Sequence, residues 1–157
     1  MSKQFTHLDG SGAARMVDVS AKEQTTRTAV ASGVLRTTAE VVVLLGSDGL
    51  PKGDALATAR IAGIMAAKRT WELVPLCHPI SLSGVVVDLA LEDAEVRITA
   101  TVRTTDRTGV EMEALTAVSV AGLTLHDMVK SIDPAATLDA VRVERKEGGK
   151  TGRWVRP

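Results

Sequence analysis

The stretch Gly109–Lys130, GVEMEALTAVSVAGLTLHDMVK, limits the fold more than any other part of the chain. It has no proline, and its only interior glycine is Gly122. Leu115, Val118, Gly122, Leu125 and Met128 follow one another in steps of three and four, the mark of one buried side of a helix. Thr108 or Gly109 can serve as the N-cap. Glu111 and Glu113 then fall in the first turn, where the helix dipole favours anions, and Lys130 falls at the end that favours cations. A second stripe of Glu113, Thr116, Val120, Thr124, Asp127 and Lys130 shares another side, with Asp127 and Lys130 as neighbours on it. Glu113 and Asp127 are fourteen positions apart, which is about 21 Å along the axis at ~1.5 Å per residue. One copy of the helix cannot bring both ends to one small substrate, so a site that uses both needs a second element or a second chain.

The remaining elements follow from local signals. Thr28–Thr37 reads as a strand whose small residues Ala29, Ala31 and Gly33 let a helix approach closely. Thr38–Leu45 is open between strand, from its valine run, and a short helix, from its Thr caps and Glu40. Gly49 and Pro51 make Ser47–Lys52 a turn, and Asp54 caps a helix over Ala55–Lys68. Pro75 and Pro79 keep Leu76-Cys77-His78 out of any helix. Gly84–Glu92 and Glu95–Thr104 form a hairpin about Asp93-Ala94, the second strand alternating Val96, Ile98, Ala100 and Val102 with polar residues. Leu138–Arg145 is the last expected strand. The order strand, helices, strand, strand, helix, strand is that of a ferredoxin-like α+β fold. It is a split β-α-β unit, an antiparallel sheet covered by helices, with an extra helix in the first crossover.

Composition narrows the class. With 157 residues, 45% of them hydrophobic, the chain is expected to form a single domain over 1–157. Residues 1–15 form an expected flexible N-terminus and 146–157 a flexible Gly/Lys tail. Nineteen basic residues balance nineteen acidic ones, which argues against general binding to nucleic acid or membrane surfaces. Aromatic residues make up 2%, too few for base-stacking platforms. No apolar run approaches the eighteen-odd residues of a membrane span, and Met1–Arg15 has no signal-peptide core. Cys77 is the only cysteine, so no internal disulfide forms, and a cytoplasmic setting is expected.

The candidate chemistry sits at helix ends and in loops. Lys52-Gly53-Asp54 leads into a helix N-terminus. It reads either as a phosphate cradle with Lys52 as counter-charge or as a solvated turn. His78, held between prolines, can act as a donor or proton carrier, or make a structural bond to backbone. Cys77 reads as a small buried hydrophobe. Glu111 and Glu113 are about 200° apart on a helix of ~3.6 residues per turn, so they cannot converge unless the helix begins later. Asp127 with Lys130 is a functional pair or an exposed ion pair worth under about 1 kcal/mol. Gly149-Lys150-Thr151 echoes the end of a phosphate-binding loop, but the glycine that motif needs first is Glu144. Together these groups point to a polyanionic small molecule and acid–base work.

Met16-Val17-Asp18-Val19-Ser20, Lys52-Gly53-Asp54, Ala59-Arg60-Ile61-Ala62-Gly63-Ile64, Leu76-Cys77-His78-Pro79 and Gly109–Thr116 closely resemble the cyclic pyranopterin monophosphate synthases, the MoaC family of molybdenum cofactor biosynthesis. The resemblance runs from about Thr6 to Gly152, with the tail and the Leu45–Leu50 loop departing from it. It implies a ferredoxin-like fold assembled as a hexamer, a trimer of dimers with interface active sites, and it tips Thr38–Leu45 towards helix. The implied lyase converts (8S)-3′,8-cyclo-7,8-dihydroguanosine 5′-triphosphate to cyclic pyranopterin monophosphate and releases pyrophosphate.

Carried over residue by residue, the resemblance implies catalytic roles for Lys52, Lys130, Asp127 and His78. It implies substrate binding by Arg27, Cys77, Glu111, Met112, Glu113 and Lys150. His126 stands where relatives often carry an aromatic residue. No cofactor and no protein metal site is expected, although Mg²⁺ can ride on the substrate triphosphate. The alternative reading is a non-catalytic ferredoxin-like module that binds a nucleotide or pterin and regulates a partner.

Overall fold

The computed structural model of the chain describes residues 6–47, 49–50 and 54–157. In chain order these residues form β1 (Thr25–Arg36), α1 (Ala39–Gly46), α2 (Ala55–Ala67), α3 (Thr70–Leu73), β2 (Leu82–Glu92), β3 (Glu95–Asp106), α4 (Glu111–Val129), β4 (Thr137–Glu147) and β5 (Trp154–Val155). The strands make one antiparallel sheet in the order β2-β3-β1-β4-β5. Without β5 this is the ferredoxin-like arrangement expected from the element order.

The sheet forms because its strands alternate. Val96, Ile98, Ala100 and Val102 of β3 are fully buried, as are Ala29, Ala31 and Leu35 of β1 beside them. All of them face one core under α2 and α4. β1 and β3 pair without a break from Thr25↔Asp106 to Arg36↔Glu95. The β1–β4 ladder slips between Ser32 and Val34, near Ala140, whose φ of 50° places it in the left-handed region.

Small residues set the layer spacing. A Cβ on Gly33 would sit 2.7 Å from Val118 Cγ1, so α4 lies directly on β1. A Cβ on Gly63 would sit 2.8 Å from the Ala117 carbonyl oxygen, so α2 and α4 touch backbone to backbone. Asp54 caps α2 as expected, its Oδ1 accepting from the Ala57 N–H at 2.9 Å.

Several expectations change. Thr38–Leu45 is settled as a helix: Thr38 is the N-cap of α1 and accepts from the Val41 N–H. Helix α4 begins at Glu111, with Val110 as N-cap and no side-chain cap, rather than at Thr108 or Gly109. Its core side is mostly alanine (Ala114, Ala117 and Ala121, with Val118 and Leu125), while Leu115 is only half-buried. Glu113 and Thr116 leave the polar stripe and turn into the buried side. The single turn α3 was unforeseen. Leu138–Arg145 is not the last strand, because β4 continues to Glu147 and β5 pairs with it through Arg145↔Val155 and Lys146↔Trp154.

Candidate active site

A cavity of about 530 Å³ opens at the N-terminal end of α4. Its floor is the first turn of that helix, Glu111, Met112 and Glu113. Both glutamates line one cavity even though α4, beginning at Glu111, leaves them about 200° apart around its axis. The proline-held loop before β2 adds Cys77 and His78, and β4 adds Lys146.

Burial gives these groups their chemistry. Glu113 is 4% exposed. Loss of water pushes its carboxyl up to about 7; its own backbone N–H opposes the shift and the nearby Glu111 charge adds to it. A carboxyl in that range takes up and gives back a proton near neutrality. Burial, with a smaller contribution from the Glu113 charge, also raises the Cys77 thiol, which favours the protonated form over a thiolate nucleophile. His78 Nε2 lies 2.8 Å from the Val17 carbonyl oxygen. A carbonyl only accepts, so Nε2 carries a hydrogen and a neutral ring keeps Nδ1 as an acceptor. Glu111 Oε1 accepts from Lys146 Nζ at 2.8 Å.

A second basic region adjoins this cavity. Arg27 donates from Nε to the Asp106 carbonyl at 3.0 Å and from Nη2 to the Arg107 carbonyl at 3.1 Å. Gly148 and Gly149 adopt φ of 93° and 72°, and a side chain at Gly149 would run into the Arg27 guanidinium. Lys150 and Arg27 line one cavity of about 560 Å³. Lys22 lines both that cavity and the one at α4. Arg27 and Lys150, both implied by the family resemblance, come together in this cavity.

Asp127 and Lys130 do not join them. Lys130 Nζ lies 2.8 Å from Asp127 Oδ1, and both side chains are about half-exposed. They occupy the far end of α4, Asp127 about 21 Å and Lys130 about 26 Å from Glu113 at ~1.5 Å per residue. Lys52 lies outside the described residues. Sequence reasoning missed Lys146 and Lys22. The register of β4 is what places Lys146 beside Glu111, and in RKEGGK nothing separates it from its neighbours. Among the described residues no three His, Cys, Asp or Glu converge as a metal cage. No described helix is long and apolar enough to cross a membrane.

Fold and cavity define a class: a ferredoxin-like α+β protein with a cleft of small-molecule size lined by titratable groups and flanked by cations. The chain belongs to the MoaC family, whose profile matches residues 16–149. It is 63% identical over 155 residues to cyclic pyranopterin monophosphate synthase 2 of Mycobacterium tuberculosis, covering 99% of this chain and 93% of the relative. It is 66% identical over 153 residues to the cyclic pyranopterin monophosphate synthase of Streptomyces coelicolor, covering 98% and 90%. The Roseiflexus protein of that name is 59% identical over 153 residues, covering 96% and 97%.

Proposed function

We propose that this chain is a lyase of molybdenum cofactor biosynthesis. It converts (8S)-3′,8-cyclo-7,8-dihydroguanosine 5′-triphosphate to cyclic pyranopterin monophosphate and releases pyrophosphate. The observation that carries this reading is identity of 59% to 66% with synthases of that name over nearly the full chain. The gathering of His78, Glu111, Glu113 and Lys146 in one cavity supports it.

The reaction opens the imidazole ring of the purine, builds a pyrazine ring and closes a cyclic phosphate. Each ring step moves protons, and each positioned acid or base contributes about 10²–10⁴-fold. His78 and Asp127 carry protons, with Lys52 and Lys130 central to turnover. Glu111, Glu113, Cys77 and Met112 orient the guanine-derived end. Arg27 and Lys150 neutralise the phosphate chain as pyrophosphate leaves. The protein supplies no redox cofactor, and any Mg²⁺ arrives on the substrate triphosphate.

The working unit is a cytoplasmic homo-hexamer, a trimer of dimers. The length of α4 supports a site shared between chains: one chain's His78 and Glu113 meet another chain's Asp127 and Lys130. Exposed apolar residues on the outer side of the helices, among them Ile61 (58%) and Leu123 (66%), offer surface for such contacts.

The test is pyrophosphate release from the anaerobically prepared cyclised nucleotide. Wild type is expected to turn over, while Lys52→Ala and Lys130→Ala lose at least about 10²-fold at nearly unchanged melting temperature. Tight binding without release by the wild type would support the regulatory module instead.

A further inference from the structure

Residues 7–15 fold into a small hairpin outside the sheet. Leu8 and Ala14 bridge, Arg15 N–H donates to the His7 carbonyl at 2.8 Å, and Asp9 N–H donates to the Ala13 carbonyl at 2.9 Å. Asp9 Oδ1 holds the turn, accepting from Ser11 N–H, Ser11 Oγ and Ala13 N–H, while Gly12 takes φ of 84°. Core burial does not explain where this hairpin sits, because its larger apolar residue Leu8, like Met16 just after it, is exposed.

Polar links dock the segment that follows it. His78 Nε2 binds the Val17 carbonyl, and Arg107 Nε donates to the Lys22 carbonyl at 3.0 Å. Both links join the N-terminal segment to loops around the α4 cavity, and the segment forms one of its walls through Thr6, His7, Val17 and Val19. The hairpin thereby brings His7 to the wall of the cavity that already holds His78, Glu113 and Lys146. No hydrogen bond or ion pair within the described residues engages the His7 ring.

We propose that His7 is a substrate-contacting residue, carried into the cavity by an N-terminal hairpin that walls the site. An imidazole offers a donor and an acceptor in one plane, which suits a phosphorylated, nitrogen-rich ring compound. The inference rests on the lyase reading above.

The experiment measures steady-state pyrophosphate release and melting temperature for wild type, His7→Ala, His7→Gln and Asp9→Ala. His7→Ala is expected to raise KM about tenfold to a hundredfold, as for loss of a hydrogen bond to a charged partner, with kcat within about twofold. His7→Gln should recover part of that loss, because an amide also donates and accepts. Asp9→Ala should raise KM in the same direction by loosening the turn. Melting temperatures should stay at the wild-type value. His7→Ala with a wild-type KM would overturn the proposal. So would equal losses in His7→Ala and His7→Gln accompanied by lower melting temperatures, since that pattern marks a wall without a contact. A wild-type protein that releases no pyrophosphate has a separate signature: the lyase reading falls and takes the contact with it.

Discussion

Glu113 carries the most consequential perturbation in the cavity. Its carboxyl sits at about 7 in the fold against an ordinary 4.5, so the native state holds the proton more tightly than the unfolded chain. This stabilising contribution is full below about 4.5 and is lost as pH rises through about 7. Removing the charge by Glu113→Gln should therefore stabilise the protein at pH 8 by roughly 1–3 kcal/mol and leave it nearly unchanged at pH 4.5. Denaturant unfolding at the two pH values checks this. A variant whose stability follows the wild-type pH dependence across that range would show that the buried charge is not the cause. Such a variant should lose turnover even as it gains stability, the exchange expected where a site is held in an unfavourable electrostatic state.

At the scale of elements, the contact between α2 and α4 rests on an absent side chain. Gly63→Val adds atoms where a Cβ already lies 2.8 Å from the Ala117 carbonyl, so the helices must part. A loss of about 1–3 kcal/mol in denaturant unfolding is expected, the usual range for overpacking. An unchanged stability would mean that the two helices separate freely.

The same elements show what the sequence could and could not reveal. The alternation of Val96, Ile98, Ala100 and Val102 and the Asp54 cap are local signals, and both elements form where those signals put them. Thr38–Leu45 was ambiguous because a valine run suits a strand by propensity, and tertiary packing of Val41 and Leu45 decides for helix. The two residues of β5 carry no periodicity; only the free edge of β4 makes them a strand. Within the site, His78 and Glu113 were legible from a rigid loop and a helix start. Lys146 was not, because its meeting with Glu111 depends on strand register across 35 positions of chain. The docking of the N-terminal segment onto His78 likewise depends on a backbone carbonyl, Val17, whose identity as a residue predicts nothing.

For the whole molecule, the proposed reaction calls on two groups of residues that lie at opposite ends of α4. If sites form between chains, His78→Ala and Lys130→Ala fail at opposite halves. Each homo-oligomer should be inactive, whereas subunits mixed at equal amounts and reassembled should rebuild wild-type sites at about a quarter of positions. Activity that stays absent after verified subunit exchange would contradict the proposed shared site.

Helix α4 then acts as a gauge. In the proposed assembly its two ends would serve different reaction chambers, and each added residue would turn one end against the other by about 100° and lengthen the rod by ~1.5 Å. A register change inside α4 would misalign two clefts at once. In that proposed assembly the spacing from Glu113 to Asp127 would be a dimension of the oligomer as much as of the chain, written in the number of turns of one helix.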